Sequence, residues 1–493
     1  MLIPCLTLIT AAIVHPVDLT VLDSATGEPM PCQVYLSDAE GNPVQPPALP
    51  FWHDHFALPG QAQLDLPEGE YSVEVERGHE YRPVHASLSV EGPAELTLTL
   101  ERMVDMSSLG WRSGDLHLHR DPLALERLLD AADLFVGPNI SWWNDGSAWT
   151  SQPVPPNPVR TFPGPRYSDI MAGEYERGGG AIMFFGLNRP LPIRGSAYEH
   201  PPSVEFLEMG EDRGAWIDCE KPFWWDMPVW VATGAVDSMG LANNHMQRDG
   251  MLDNEAWGRP RPMDEFAGTL GNGQWSQYIY YQLLESGLTV PPSAGSASGV
   301  LPNPVGYNRV YVHTGDDLTY DGWWEGLASR RSFVTNGPLI DVRVGGELPG
   351  ATFRVEHSGT TLPIEVAAWS KDPVGDLEVL VNGDVALQVP LTADGRSRTV
   401  GEITLDEPGW ILIRAIADVD HTFRFASTAP WRVTGPDGED RISRRAAQFF
   451  IDWIDERQAM LALNDGGQSR DVSRRLLQAR NYWVGRRSLA TCP

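Results

Sequence analysis

Apolar and polar residues alternate in short runs over the first hundred residues of the chain. Runs such as 17–21 and 64–73 are separated by turn residues rich in Gly, Pro, Asn and Asp. Alternation with a period of two is typical of half-buried strands. We therefore predict a small β-sandwich over residues 17–102. His53 and His55 lie among turn residues in this stretch, so we predict a loop for them.

The pattern changes near residue 103, after which strand-like and helix-like segments mix as far as residue 338. Period-two strands return over 339–434, with a hairpin turn at Asn382 and Gly383. Residues 435–493 carry two apolar stripes at helical spacing, which predict a closing pair of helices. The sequence thus predicts a multidomain protein with a central α/β region between two all-β modules.

Two histidines stand two residues apart at His117 and His119, in the run 114–120. In a strand these side chains point the same way, so two imidazoles converge on one side. Asp121 is a candidate cap for a helix beginning at Pro122. A strand that ends in polar residues before a helix is typical of ligand sites in α/β enzymes. The arrangement predicts half of a transition-metal site.

Charge and hydropathy narrow the classes of partner. The 493 residues carry a formal net charge of −29, which argues against binding nucleic acid, because phosphates demand a basic surface. No apolar run is long enough to cross a bilayer. Residues 2–14 form a short apolar stretch, so we expect a signal peptide over 1–16 and export from the cytoplasm.

Several segments resemble one known family, the CehA/McbA branch of the PHP (polymerase and histidinol phosphatase) superfamily of metallohydrolases. The resemblance implies a distorted (β/α)7 barrel over 103–338 with metal ions at its C-terminal mouth. It also implies a prealbumin-like or carboxypeptidase-regulatory-like sandwich before the barrel and an Ig-like sandwich after it. The segments that carry the resemblance are 114–119, 171–175, 294–299, 307–311 and 332–338.

The family's metal ligands are only partly present in this chain. His117 and His119 match the first pair, and Glu174 matches a carboxylate that bridges metals. Four other ligand positions fall on residues that do not supply the family's ligand: Trp142–Trp143, Gly180–Ala181, Lys221–Pro222 and Ala297. We therefore expect a reduced site with about one Zn²⁺, Mn²⁺ or Fe²⁺ ion, and His245 as a candidate fourth ligand.

Three further residues are candidates for supporting roles. Asp115 shares the strand face of the two histidines and is a candidate for orienting one of them. The ammonium group of Lys221 is predicted to replace a missing ion inside the cavity, close to Glu174. Arg309 either binds an anion in the pocket or pairs with a carboxylate.

Two functions remain open from the sequence. The first is metal-dependent hydrolysis of an ester, carbamate or phosphoester bond of a small molecule. The alternative is an inactive barrel that binds a glycan or another ligand through its tryptophan pairs, Trp142–Trp143 and Trp224–Trp225.

Overall fold

The computed structural model describes residues 13–193, 198–356, 359–391 and 396–493, without the side chains of 396–400. The described residues form two compact units, one up to Met103 together with Asp130–Asp133, the other spanning 104–129 and 134–493. Residues 1–12 of the expected signal peptide lie outside the described residues, and Val14–Pro16 belong to the first strand. Within the described ranges, no helix is long and apolar enough to span a membrane.

The first unit contains two antiparallel-rich sheets that share one apolar core. The sheets have the strand orders β5-β1-β8 and β3-β4-β2-β6-β7. Alternate residues of β1, including Val17, Leu19 and Val21, are buried, as the period-two pattern requires. The strands are β1 (Val14–Asp23), β2 (Cys32–Asp38), β3 (Phe51–Trp52), β4 (His55–Leu58), β5 (Gln61–Pro67), β6 (Gly69–Glu76), β7 (Val84–Val90) and β8 (Ala94–Leu100).

The second unit begins with a mixed α/β region. Its strands are β9 (Trp111–Gly114), β10 (Ile140–Trp143), β11 (Gly146–Ser147), β12 (Val159–Phe162), β13 (Arg166–Asp169), β14 (Ala172–Arg177), β15 (Gly180–Phe185), β16 (Trp216–Cys219), β17 (Ser238–Ala242), β18 (Met246–Gln247), β19 (Gly250–Met251) and β20 (Pro292–Ala294). Its helices are α1 (Leu125–Ala131), α2 (Val204–Glu211), α3 (Met227–Val231) and α4 (Gly271–Glu285), with 3-10 turns at Met106–Leu109 and Ala148–Thr150.

Seven of these strands form one sheet in the order β11-β10-β14-β15-β16-β17-β20. Strand β15 runs antiparallel to both of its neighbours, and the pairs β10–β14, β16–β17 and β17–β20 are parallel. The strands of this sheet are almost entirely buried, which explains their continuous apolar runs.

Residues 115–119 connect the two ends of this sheet. The amide of Leu116 donates to the carbonyl of Ala294 after β20, and the amide of Ile140 at the start of β10 donates to Leu118. Leu118 also forms parallel bridges to Asn139 and Ser298. The segment that carries His117 and His119 is therefore flanked by backbone on both sides, which fixes the direction of its side chains.

The remaining strands are β21 (Arg309–His313), β22 (Ser332–Thr335), β23 (Leu339–Val344), β24 (Thr352–Arg354), β25 (Thr360–Trp369), β26 (Val374–Val381), β27 (Asp384–Pro390), β28 (Arg396–Leu405), β29 (Gly409–Ala417), β30 (Phe425–Thr428) and β31 (Trp431–Thr434), with α5 (Tyr320–Ala328), α6 (Arg444–Met460) and α7 (Gly466–Ser488). Strand β22 pairs with β21 on one side and with β30 on the other. One sheet thus continues across residue 338, where the sequence predicts a domain boundary.

Two local predictions were wrong. Helix α1 begins at Leu125, because Asp121 accepts a hydrogen bond from the amide of Leu123 in a turn that precedes the helix. The proline-rich stretch after Gln152, predicted as a loop up to residue 165, contains β12, which pairs with β13.

Candidate metal centre

The rings of His117 and His119 converge on one face of the 115–119 segment. Their Nε2 atoms are 3.0 Å apart. Glycines on the neighbouring segment permit this close packing: a Cβ at Gly295 would lie 2.5 Å from the Cβ of His117, and one at Gly299 would lie 2.0 Å from the carbonyl oxygen of His119. Side chains at these two glycines would therefore displace the histidines.

Strand β14 adds the carboxylate of Glu174 to this pair. Its Oε2 lies 3.7 Å from His117 Nε2 and 3.3 Å from His119 Nε2. A circle through three atoms at these separations has a radius of about 2 Å, which matches typical Zn–N and Zn–O bonds of about 2.0–2.2 Å. Within the described residues, these three side chains are the group of metal-ligand type whose atoms lie within 4.8 Å of one another.

Glu220, which follows β16, is a site residue that the sequence analysis missed. Its Oε1 lies 3.4 Å from Nδ1 of His117, on the side of the ring opposite Glu174. A carboxylate behind a ligating histidine holds the ring in place and favours one tautomer. A signal was present, because Asp218 and Glu220 are separated by two residues and therefore extend from one face of a strand.

The electrostatics of the group favour an ion pair. Burial lowers the pKa of His117, but Glu174 and Glu220 outweigh burial and raise it to about 9. Burial also opposes ionisation of Glu174, yet the two histidines hold the pKa of its carboxyl well below the usual range. In the absence of a metal, a proton therefore compensates for the carboxylates.

The ammonium group of Lys221 lies inside the protein and not in solvent. Its Nζ forms an ion pair with Glu220 Oε2 and lies 4.4 Å from the centre of the Trp224 ring. Trp224 also donates its indole N–H to Glu220 Oε2 at 3.1 Å. Lys221 thus neutralises the carboxylate behind His117, whereas the sequence analysis expected it beside Glu174.

His245 lines the same pocket but lies outside the group of three ligands. Burial and the nearby charge of Lys221 lower the pKa of its imidazole to about 3, so the ring is neutral at ordinary pH. It packs against the ring of Phe223 at 5.3 Å. The structure therefore gives His245 a place on the pocket wall.

Asp115 and Arg309 are buried and do not line this pocket. Asp115 accepts hydrogen bonds from the backbone amides of His117, Ser296 and Gly306, at 2.8–3.1 Å. It thereby links the histidine segment to two loops. Arg309 donates to the carbonyl of Gly306 at 2.6 Å.

The pocket has a volume of about 340 Å³. Its lining includes the three candidate ligands, Glu176, Lys221, Asn244, His245, Trp143, Trp224 and Trp257. A larger cavity of about 770 Å³ beside Trp149 contains none of the candidate ligands. We place the site in the smaller pocket because the polar chemistry is concentrated there.

Four buried polar atoms on this pocket's side chains have no hydrogen-bond partner. They are Glu174 Oε2, Glu220 Oε1, Asn244 Oδ1 and His245 Nδ1. Unsatisfied buried polar atoms are costly and usually indicate an ion, a water molecule or a ligand. The unpartnered Glu174 oxygen, which faces both histidines, fits a bound metal ion.

Comparisons with known proteins add no assignment. No family model matches the chain, and neither the curated proteins nor the solved structures include a significant match.

Proposed function

We propose that the protein is a metal-dependent hydrolase with a single-metal site formed by His117, His119 and Glu174. The observation that carries the proposal is the convergence of two imidazole nitrogens and one carboxylate oxygen at separations of 3.0–3.7 Å. Two nitrogen ligands and one oxygen ligand suit Zn²⁺, Mn²⁺ or Fe²⁺. We propose a PHP-like (β/α)7 barrel of the CehA/McbA type as its scaffold, supported by the bonds that join both ends of the seven-stranded sheet.

A divalent metal held there would polarise the carbonyl or phosphoryl oxygen of a substrate and lower the pKa of a water ligand toward neutrality. The protein's own residues prepare this chemistry. Glu220 orients His117 through Nδ1, which leaves Nε2 directed toward Glu174. Lys221 keeps Glu220 ionised, and the aromatic walls limit access of bulk water.

The reaction is hydrolysis of an ester, carbamate or phosphoester. A bond forms between the water oxygen and the carbonyl carbon or phosphorus, and the bond to the leaving oxygen breaks. One proton of the water ends on that leaving oxygen. The chain supplies ligands and positioning groups, and no redox step is involved.

The alternative of an inactive glycan-binding barrel has little support from the tryptophan pairs. Trp142, Trp224 and Trp225 are 2%, 2% and 8% exposed, whereas Trp143 is 37% exposed. Three of the four rings therefore lack an open face for stacking a sugar, and we do not pursue this function.

The test is hydrolysis of nitrophenyl esters, carbamates and phosphoesters after loading the full chain with Zn²⁺, Mn²⁺ or Fe²⁺. We expect activity that chelation removes and that metal restores. His117→Ala should abolish it, whereas His53→Ala, a substitution in the other His-x-His pair, should retain it. Activity that persists in the His117→Ala variant would contradict the proposal.

A further inference from the structure

The pocket with the candidate ligands has an unusual aromatic rim. Among the described residues, Trp143 and Trp257 are the tryptophans that count as exposed, at 37% and 44%, and both line this pocket. Trp143 packs against the ring of His119, with ring centres 5.3 Å apart. Open indole faces in contact with solvent are costly unless a ligand covers them.

The backbone at Trp257 is held in an unfavourable conformation. Its φ is +61°, in the left-handed region that bulky residues rarely adopt. The carbonyl of Trp257 accepts from the amide of Trp225, and the amide of the next residue, Gly258, donates to Glu255. Trp224 and Gly258 also form a bridge. Strain that is maintained by surrounding bonds is typical of functional positions.

The charge of the pocket lining is negative near this rim. Glu174, Glu176 and Glu220 contribute three carboxyl groups, whereas Lys221 is the cationic side chain of the lining and is paired with Glu220. Glu176 accepts the indole N–H of Trp143 at 3.1 Å, so its carboxyl group lies beside an exposed indole. A dication at the ligand group would compensate the inner carboxylates and leave Glu176 as the anionic group beside the rim.

We propose that the site selects substrates that carry a compact cationic group, such as a substituted ammonium, held by Trp143, Trp257 and Glu176. Tryptophan faces attract cations through the ring quadrupole, and a nearby carboxylate adds direct charge attraction. This inference rests on the proposed hydrolase function and names its substrate class. A phosphoester anion is disfavoured, because the lining offers it no unpaired cation.

The test compares choline with its uncharged isostere 3,3-dimethyl-1-butanol by ligand-observed NMR titration of the full chain at pH 8. Measurements are made with the metal bound and again after chelation, so that binding is separated from turnover. We expect choline to bind about tenfold more tightly, the scale of a desolvated cation–π contact. Equal affinities, or no binding of either compound, would overturn the proposal.

Conservative variants identify the groups responsible. Glu176→Gln keeps the hydrogen-bond acceptor for Trp143 but removes the charge, so it should reduce the preference for choline several-fold. Trp257→Phe should reduce it further, since a smaller ring attracts a cation less. Glu365→Gln is the matched control, because Glu365 is an exposed residue of β25. An unchanged preference in Glu176→Gln would contradict the assignment.

Turnover separates this inference from the proposed function. Acetylcholine and 3,3-dimethylbutyl acetate have the same shape and differ in charge. Metal-dependent hydrolysis that favours acetylcholine supports both proposals. Equal metal-dependent hydrolysis supports the hydrolase but overturns selection of a cation. Preferential binding of choline with no hydrolysis of either ester supports cation recognition and contradicts the hydrolase.

Discussion

The chain contains two His-x-His pairs with the same spacing and different surroundings. His53 is exposed, with a positive φ in the turn between β3 and β4, and His55 directs Nδ1 toward its neighbour Asp54 at 2.9 Å. His117 and His119 lie between two flanking backbone segments and face Glu174 from β14. One pair begins at a reversal of the chain, and the other extends along a straight segment.

The difference shows what converts a short motif into a candidate metal site. The straight backbone at 115–119 keeps residues two apart on the same face, which the turn at His53 and Asp54 does not. A carboxylate from a different strand then completes the second pair, while the first has a partner adjacent in sequence. Spacing alone therefore does not identify a site, and long-range strand pairing decides.

Metal content is the strongest test of this contrast. His117→Ala removes one of three ligands, so we expect the loss of stoichiometric Zn²⁺ or Mn²⁺, a decrease in affinity of more than about 100-fold. His53→Ala should retain about one metal ion per chain. Elemental analysis after equilibration and dialysis measures both variants. Equal metal content in both would show that the two pairs do not differ.

The pH dependence of metal uptake should also be large. In the metal-free protein His117 is protonated below its pKa of about 9, so a metal ion must displace that proton. The apparent affinity should therefore rise about tenfold per pH unit between pH 7 and 9, and level off above. Competition with a chromophoric chelator at several pH values measures the slope. A flat profile would show that His117 is not a ligand.

The carboxylate behind each pair provides the next comparison. Glu220→Gln weakens the hold on Nδ1 of His117, and we expect metal affinity to decrease by about 10–100-fold. Because this change leaves the buried ammonium of Lys221 unpaired, it should also destabilise the fold. The double variant Glu220→Gln with Lys221→Met should recover stability but not affinity. Recovery of both would assign Glu220 a purely structural role.

The smallest effect is expected at the corresponding carboxylate of the first pair. Asp54 is one-third exposed in its contact with His55. Asp54→Asn should therefore change the free energy of unfolding by less than about 1 kcal/mol and leave metal content unchanged. Chemical denaturation checks the first value. A larger loss would show that this pair is also held by strong electrostatics.

The sequence predicted local features of the candidate site better than its long-range ones. The common direction of His117 and His119 follows from strand geometry alone. Glu174 was selected by resemblance, because nothing in its local pattern indicates which strand β14 would pair with. Glu220 was missed, since its role depends on contact with a residue a hundred positions earlier. Trp257 gave no signal, because its exposure depends on a backbone conformation that tryptophan rarely adopts.

The fold was predictable to a similar extent. Period-two and helical patterns located most strands of the β modules and both terminal helices. The start of α1 and the strand β12 were not predicted, because turn bonds and pairing partners override local preference there.

The pairing of β22 with both β21 and β30 has a consequence for how the molecule unfolds. Breaking the polypeptide at residue 338 would strip one neighbour from β22 and expose a bare edge that invites aggregation. The α/β region and the β module that follows it are thus joined in one cooperative unit, and neither has an independent melting transition. Amide protons of β22 should exchange with solvent only when the whole unit opens. Any remodelling of the catalytic half by recombination with other proteins must therefore carry the following module along.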